Sequence, residues 1–304
     1  MFGFLSRKKE APQPPAKPAG RFTLFHIAGE TMGTRYTVSF ATSGEPDQDR
    51  LKADVHQAVD LVDRQMSTWK PDSPLSQFNR STPGDWFSVP AELAHVVDTG
   101  LRISRSTQGA FDMTVGSAVN LWGFGPDGGR QDVPTQPEAD AAGGSCGYGM
   151  LEVRHDPPAL RKAGECSVDL SGIAKGYGVD RIAETLEASG VTDYLVAIDG
   201  ELRLRGRKPG NEPRWAVSVD APVHGQKQTW DILLPPDGAL ATSGDYRRVF
   251  SDGGKAYAHS IDPATGRPVD NDIASVTVFH RDCMMADAWA TALLVKGSHA
   301  GVVL

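Results

Sequence analysis

Residues 168–177 read Val-Asp-Leu-Ser-Gly-Ile-Ala-Lys-Gly-Tyr and do most to indicate the fold and the chemistry of this chain. Small residues alternate here with a carboxylate, a hydroxyl and a lysine, and a helical apolar pattern closed by Gly190 follows. The N–H groups at a helix start attract anions, and a nearby lysine adds positive charge. The stretch therefore predicts a helix whose start lies against a phosphate-bearing ligand.

Strands and helices are predicted on both sides of this helix. Before it, alternating apolar residues predict a strand at residues 36–40, and helical spacing predicts helices over residues 49–66 and from Pro90 onward. After it, the sequence predicts strands at residues 194–198, 202–205, 215–219, 230–234 and 275–279, and a helix over residues 286–295. Because the strands cluster instead of alternating strictly with helices, we expect an α+β fold with mixed or antiparallel sheets.

Two segments are predicted to lie outside these regular elements. Residues 1–21 are rich in Pro and Lys and are expected to form a disordered N-terminal tail, so that the folded domain spans residues 22–304. Residues 126–167 are rich in Gly, Pro, Ala and Asp and predict an irregular excursion between two lobes, with a strand near residues 151–153.

Composition excludes several classes of function. The chain of 304 residues has a net charge of −7, so it lacks the basic excess that nucleic-acid binding requires. No apolar run reaches the length of a membrane-spanning helix, and we expect no integral membrane segment. The first residues do not form a leader, which predicts a cytoplasmic protein, or a periplasmic one if the true N-terminus is missing. The three cysteines have no zinc-site spacing and are expected to be reduced, with one disulfide possible after export.

Asp287 and Thr291 are candidates for a metal site. They are spaced i and i+4 and therefore share one face of the predicted helix. A carboxylate and a hydroxyl so placed can bind one hard cation, and oxygen donors favour Mg²⁺ over zinc. The alternative is an Asp favoured by the helix dipole beside a Thr that packs sideways.

Other segments carry chemistry with equally simple alternatives. His259, which precedes a tight turn at residues 262–266, is a candidate base or a packed hydrogen-bonding residue. Asp169 and Ser171 are candidate helix caps, and Lys175 is either a phosphate ligand or an exposed lysine. The glycines and aromatic residues of residues 109–125 suit stacking on a planar ring, unless they form a hydrophobic loop in which Asp112 caps a helix. The hydroxyls of residues 242–243 are candidates for a phosphate contact, although a turn over residues 242–245 is the favoured prediction.

In this order, the segments resemble the ApbE family of flavin transferases, which act as FAD:protein FMN transferases. The resemblance rests on residues 30–34, 66–69, 109–125, 169–180, 195–206, 241–246, 259–268 and 286–292. It implies a two-lobed α+β fold with FAD, the substrate, held in a central cleft. It also implies Mg²⁺-dependent cleavage of the FAD pyrophosphate, transfer of FMN through its phosphate to a threonine hydroxyl of a target protein, and release of AMP.

The resemblance also implies roles for particular residues. The carbonyl of Ala174, with Asp287 and Thr291, would hold the metal, and His259 would act as the base that activates the acceptor threonine. Ten residues would line the flavin nucleotide: Met32, Trp69, Ala110, Phe111, Asp112, Ser171, Lys175, Tyr177, His259 and Ile261. Trp69 stands where relatives usually have Tyr, and Asp199 stands where they commonly have Gly.

Three functions remain open at this stage. The first is transfer of FMN to a threonine-bearing flavoprotein, by resemblance a respiratory or electron-transfer subunit. The second is plain FAD pyrophosphatase activity, in which water replaces the acceptor hydroxyl. The third is a flavin-binding carrier without turnover.

Overall fold

The computed structural model describes residues 22–128, 130, 132–209, 214–223, 228–244, 249–252 and 255–301. The helices are α1 (Gln48–Met66), α2 (Pro74–Asn79), α3 (Ala91–Ser106), α4 (Gly116–Leu121), α5 (Gln136–Gly144), α6 (Ala174–Ala188) and α7 (Cys283–Gly301). The strands are β1 (Thr23–Thr31), β2 (Thr34–Thr42), β3 (Phe87–Ser88), β4 (Leu151–His155), β5 (Pro158–Lys162), β6 (Asp193–Ile198), β7 (Glu201–Arg205), β8 (Val217–Asp220), β9 (Thr229–Leu233), β10 (Gly238–Gly244), β11 (Val249–Asp252), β12 (Lys255–Ala258), β13 (Ile261–Asp262), β14 (Arg267–Pro268) and β15 (Ser275–His280). The predicted tail, residues 1–21, lies outside the described residues.

A six-stranded sheet forms the centre of the fold, in the order β1-β2-β6-β7-β10-β15. Every neighbouring pair in it is antiparallel, so the prediction of an α+β fold with antiparallel sheets is confirmed. One large cluster of buried side chains packs α1 and α6 against β2 and β6. A second large cluster joins α3, the start of α6 and the middle of α7, and it contains several predicted site residues.

The first hairpin of the sheet brings Met32 back over the core. β1, which the sequence analysis missed, pairs with β2 through a turn at residues 31–34. Met32 and Gly33 have φ values of 47° and 69°, as a type I′ turn requires at its two central residues. A left-handed backbone is uncommon for methionine and is often found at functional sites.

α6 and α7 carry the residues on which the functional argument depends. α6 is followed by Gly190, which has a φ of 81°, as the sequence predicted. α7 begins three residues before the predicted start and is interrupted at Gly297, which has a φ of 74°. Asn271 donates from Nδ2 to the carbonyl of Leu294 at 2.8 Å, and Asp272 accepts from the N–H of Ser298 at 3.2 Å. The break is therefore capped on both sides by one loop.

The prediction of an irregular excursion over residues 126–167 was wrong. This segment contains α5 and the β4–β5 hairpin, which joins β3 in a three-stranded sheet, and the strand predicted near residues 151–153 is part of it. α5 is short and rich in Ala and Gly, so its apolar periodicity is weak, and its start is set by the capping pair Thr135 and Glu138. The predicted turn at residues 242–244 was also wrong, because these residues belong to β10, while Asp245 lies outside the described residues.

Among the helices that the structure describes, none has a stretch long and apolar enough to cross a lipid bilayer.

Candidate active site

The turn before α6 is held in place from both ends. The side chain of Asn79 donates from Nδ2 to the carbonyl of Val168 at 2.9 Å and accepts the N–H of Val168 through Oδ1 at 2.8 Å. Asp169 accepts the N–H of Ser171 at 2.7 Å, so its carboxylate serves the turn itself. The chain then winds into α6, with the N–H of Ala174 bonded to the carbonyl of Leu170. This part of the backbone is thus preorganised, and Ser171 is exposed on it.

α7 closely approaches α6 and the turn before it, beside the three residues predicted to hold a metal. The N–H of Gly176 donates to Asp287 Oδ2 at 2.9 Å, two residues after Ala174. A Cβ on Gly176 would lie 2.8 Å from Asp287 Cβ, and one on Gly172 would lie 3.1 Å from Thr291 Oγ1. The turn of Ala174 therefore lies against the face of α7 that carries Asp287 and Thr291.

The main sheet contributes a further hydroxyl to this place. Ser243, at the end of β10, lies with its Oγ 3.1 Å from Thr291 Oγ1. The hydroxyls of residues 242–243 were predicted to lie in a turn and lie in a strand instead. The apolar run of residues 239–241, which are buried in the strand, was the signal that could have extended β10 to Ser243.

Lys175 is bound by acidic side chains of the β6–β7 connection. Its Nζ donates to Glu201 Oε1 at 2.9 Å, lies 2.8 Å from Glu201 Oε2 and is 3.6 Å from Asp199 Oδ2. Glu201 is only 2% exposed, and its Oε2 is buried without being aligned as a hydrogen-bond acceptor. The lysine predicted to contact a phosphate is therefore already paired with a buried carboxylate that sequence analysis did not select.

The electrostatics of this cluster are dominated by negative charge. Burial and the neighbouring Glu201 raise the pKa of Asp287 to about 8, although Lys175 and the N–H of Gly176 act in the opposite direction. Burial also raises the pKa of Glu201. Burial lowers the pKa of Lys175, but Glu201, Asp287 and Asp199 outweigh it, so the pKa of the lysine lies above its usual value. Three carboxylates thus share the single ammonium group of Lys175 in the part of the chain described.

These residues fit a small divalent cation. Asp287 is 3% exposed, and the donors around it are carboxylate and hydroxyl oxygens, the ligands that Mg²⁺ prefers. A cation would favour the charged form of Asp287, against burial and Glu201, which raise its pKa. Within the described residues, no three His, Cys, Asp or Glu side chains are arranged to hold a metal. A metal here would rest on one carboxylate together with hydroxyl and carbonyl oxygens, which is the predicted ligand set.

Apolar residues predicted to line a flavin border the same turn. Phe111, Ala174 and Tyr177 belong to one buried cluster, against which Met32 packs. A Cβ on Gly172 would lie 3.3 Å from the Phe111 ring, and one on Gly178 would lie 2.9 Å from Met32 Cε. The backbone of residues 113–116 is bonded to residues 167–169, which ties the loop that carries Ala110 and Phe111 to the turn before α6.

Asp112 accepts hydrogen bonds from this loop and from a neighbouring segment of the chain. Its Oδ1 accepts the N–H and the hydroxyl of Thr114 at 2.8 and 2.7 Å, and its Oδ2 accepts the N–H of Tyr148 at 2.7 Å. The hydroxyl of Thr114 in turn accepts the N–H of Gly147 at 2.6 Å. Burial nevertheless raises the pKa of Asp112. Both carboxylate oxygens therefore bond donors of the protein itself.

His259 lies in a second group of residues. Its ring is edge-on to that of Phe124, at 6.3 Å between ring centres. Ile261 is buried with Trp122, whose indole N–H donates to the carbonyl of Gly266 at 2.9 Å. α4 follows directly on the loop of Phe111, so the two groups are joined by one short helix.

Two further features are the exposed side chain of Trp69 and a cavity beside the turn that follows His259. Trp69 is 63% exposed, and its N–H bonds Ser67 Oγ. A cavity of about 410 Å³ lies between α5 and the turn at residues 262–266. Its lining residues are Gln136, Asp140, Gly143, Gly144, Ala264, Thr265 and Arg267, and none of them is a predicted site residue.

Comparison with known proteins gives consistent matches over almost the whole chain. The model of the ApbE family matches residues 32–304. A curated protein of Vibrio cholerae serotype O1 named FAD:protein FMN transferase is 40% identical over 280 residues, which cover 92% of this chain and 83% of that protein. The solved flavin transferase ApbE of Vibrio cholerae superposes with a TM-score of 0.84 at 40% identity, over 93% of this chain and 90% of the other. The apo flavinyl transferase ApbE of Pseudomonas stutzeri also gives a TM-score of 0.84, at 35% identity over 94% and 89% of the two chains.

Proposed function

The chain belongs to the ApbE family, and we propose that it catalyses the reaction for which its relatives are named, the transfer of FMN from FAD to a protein. In this proposal the reaction depends on Mg²⁺, and the acceptor is a threonine hydroxyl. The chemistry class, a transferase, follows from the 40% identity to a protein of that name over 92% of the chain. The metal and the acceptor residue are inferences from the site.

The meeting of α6 and α7 is the observation that carries the proposal. The N–H of Gly176 bonds Asp287, and Gly172 lies beside Thr291. Buried oxygens therefore face the start of a helix within a cluster of excess negative charge. Phosphoryl transfer needs charge neutralisation and positioning more than it needs a protein nucleophile, and this site offers those two things. The three cysteines supply no competing nucleophile, because burial raises the pKa of each thiol.

Each group of residues has a distinct part in the proposed reaction. Asp287, Thr291 and the carbonyl of Ala174 would hold Mg²⁺, which when bound supplies positive charge to the pyrophosphate. Met32, Trp69, Phe111 and Tyr177 would bind the flavin ring, with Ala110, Ser171 and Ile261 along the nucleotide. Asp112 fixes the loop of Phe111, and Lys175 holds the acidic cluster together.

His259 would act as the base. It accepts the proton of the threonine hydroxyl while the threonine oxygen forms a bond to the phosphorus of the FMN half. The bond between that phosphorus and the bridging oxygen breaks, and AMP leaves with the bonding electron pair. Imidazole suits this role because its ordinary pKa lies near neutrality.

One assay separates this function from its two rivals. The full chain is incubated with FAD, Mg²⁺ and a protein domain that carries a candidate threonine, and covalent flavin is read by in-gel fluorescence beside free FMN and AMP. Labelled acceptor with AMP supports transfer, and free FMN with AMP but no label supports hydrolysis. Intact FAD that stays bound supports a carrier.

A matched pair of variants on α7 tests the role of the metal ligand. Asp287→Asn should abolish both label and AMP, because it removes the one carboxylate of the proposed metal site. Asp282→Asn, at the half-buried residue directly before the same helix, should keep full activity. If Asp287→Asn labels the acceptor as fast as the wild type, Asp287 does not hold a metal that the reaction needs. By resemblance, the acceptor is a respiratory or electron-transfer flavoprotein, and domains of such proteins are the first to try.

A further inference from the structure

Asp180 binds the start of α7 from the neighbouring helix. Its Oδ1 accepts the N–H of Cys283 at 3.0 Å, and its Oδ2 accepts the N–H of Met284 at 2.9 Å. These are the first two residues of α7, and their N–H groups have no partner within the helix itself. A carboxylate at this end also interacts favourably with the helix dipole. Asp180 therefore caps α7 although it belongs to α6.

This cap lies one helical turn from the predicted metal site. Asp180 follows Gly176 by four residues on α6, and Asp287 follows Cys283 by four residues on α7. Residues four apart share a helix face, so the cap and the bond from Gly176 to Asp287 form two adjacent rungs between the helices. The approach is close, because a Cβ on Gly176 would lie 2.4 Å from the carbonyl oxygen of Cys283. Two rungs fix both the rotation and the axial position of α7 against α6.

Arg203 compensates the charge of the cap. Arg203 belongs to β7, and its Nη1 donates to Asp180 Oδ1 at a distance of 2.8 Å. The residue Asp180 is only 6% exposed. The carboxylate thus has three donors from two further elements of the fold. The carboxylate joins the two helices and also ties both of them to the main sheet.

We propose that Asp180 is a positioning residue for the divalent-cation site, because it holds Asp287 and Thr291 on α7 at the distance from Ala174 that one cation requires. The inference rests on the proposed function. Mg²⁺ accepts little variation in its oxygen distances of about 2.0–2.1 Å, whereas a slip of one residue along a helix moves a side chain by about 1.5 Å. Ligands carried by two different helices need such a link, since neither helix alone can fix the distance between them.

The test measures metal binding by the full chain, without turnover. Mn²⁺, which takes the same oxygen ligands, is titrated into wild type and Asp180→Asn and followed by its EPR signal, with Mg²⁺ as competitor. The amide keeps the size of the side chain but has only one acceptor oxygen, so one of the two hydrogen bonds from the N–H groups of α7 is lost. We expect Mn²⁺ binding about 10-fold to 100-fold weaker, the usual effect of losing a group that orients metal ligands. Circular dichroism of the variant should remain native.

Two further variants separate positioning from stability and charge. Asp282→Asn removes the same charge from the start of the same helix, but its carboxylate pairs with Arg281, so Mn²⁺ affinity should stay within about twofold of wild type. Asp180→Glu keeps the charge and both acceptors but is longer by one methylene. It should fold even if Asp180→Asn does not, and it should still weaken Mn²⁺ binding because it displaces α7.

The outcomes are distinct. Wild-type Mn²⁺ affinity in Asp180→Asn, with or without a lower melting temperature, would show a purely structural cap and overturn the inference. If Asp180→Asn does not fold, wild-type affinity in Asp180→Glu has the same consequence. If the wild type itself binds no Mn²⁺ or Mg²⁺, the metal-dependent function is overturned instead.

Discussion

Gly176 and Asp287 are bonded directly, backbone N–H to carboxylate, at 2.9 Å across the α6–α7 contact. No side chain fits between these helices at this point, since a Cβ on Gly176 would approach the Cys283 carbonyl oxygen to 2.4 Å. Gly176→Ala should therefore push the helices apart and lower the free energy of unfolding by about 1–3 kcal/mol, the usual cost of overpacking. Urea denaturation measures the loss, and Mn²⁺ titration should show weaker binding in the same variant.

The control for this variant is Gly144→Ala at the exposed end of α5, where an added Cβ meets nothing within 4 Å. It should leave unfolding and metal binding unchanged or make the protein slightly more stable. Equal effects of the two substitutions would show that the close approach at Gly176 does not determine the stability of the fold or its metal binding.

Lys175 and Glu201 form a buried ion pair, and its removal should be costly. Lys175→Met leaves Glu201 and Asp287 without the cation that they share, so we expect a loss of about 3–5 kcal/mol in the free energy of unfolding. Lys70→Met is the matched control, because Lys70 pairs with Asp63 at 2.6 Å but is 43% exposed. It should cost less than about 1 kcal/mol. Similar costs for the two variants would show that the Lys175 pair behaves as an ordinary surface contact.

The three thiols should be slow to react in the folded protein. Burial raises the pKa of Cys146 to about 12 and that of Cys166 to about 11, and Cys283 is fully buried. With a pKa of about 12, on the order of one thiol in ten thousand is ionised near pH 8. The rate of reaction with a disulfide reagent should therefore rise about tenfold per pH unit between about pH 8 and pH 10.

The control for the thiol measurement is the unfolded chain. In concentrated guanidinium without reductant, all three thiols should react rapidly, since the structure holds them as free cysteines. Only one reactive thiol after unfolding would reveal a disulfide, and fast reaction of Cys146 at neutral pH would contradict the raised pKa.

The sequence predicted the elements that have strong local periodicity. α1 and β6 were placed within one residue, because their apolar residues recur along most of their length. β1 was missed because its apolar residues do not follow its alternating burial. Leu24 and Ala28 are exposed, Gly29 and Thr31 take less exposed positions, and the pairing is decided by the turn that follows. The start of α7 was placed three residues late for a different reason. Its cap comes from Asp180, more than a hundred residues earlier in the chain, which no local pattern reveals.

In the candidate site, too, local features could be predicted from the sequence and contacts between distant residues could not. Asp287 and Thr291 could be paired in advance, because i, i+4 spacing is a local property. The partner of Lys175 could not, because Glu201 reaches it from another strand, and a buried carboxylate has no signature in a sequence. The sequence left Asp112 open between a flavin contact and a helix cap, and it did not reveal that the two carboxylate oxygens bond Thr114 and Tyr148.

Thr114 should be as important for the loop of Phe111 as Asp112. Its hydroxyl donates to Asp112 and accepts the N–H of Gly147, and the residue is fully buried. Thr114→Val keeps the shape but leaves the N–H of Gly147 without its acceptor and takes one of two donors from Asp112 Oδ1, so it should lower the free energy of unfolding by about 1–3 kcal/mol. Thr185→Val on α6, where an exchange removes only a bond to the helix carbonyl of Arg181, should cost much less. A Thr114→Val protein as stable as wild type would mean that this network does not hold the loop.

Trp122 anchors the turn that follows His259, and the last prediction separates that role from packing. Trp122→Phe keeps a ring against Tyr257 but loses the indole N–H that bonds the carbonyl of Gly266 at 2.9 Å. Loss of one such bond should lower the free energy of unfolding by about 1–3 kcal/mol. Because the turn at residues 262–266 then loses its tie to α4, His259 is held less firmly, and kcat for FMN transfer should fall at least tenfold while KM for FAD changes little. Steady-state kinetics with a threonine-bearing acceptor measures both constants.

Trp86→Phe, on the three-stranded sheet beside Arg154 and Arg161, is the matched control and should leave both kcat and KM unchanged. A rise in KM with unchanged kcat would place Trp122 in the binding of FAD and not in the placement of His259.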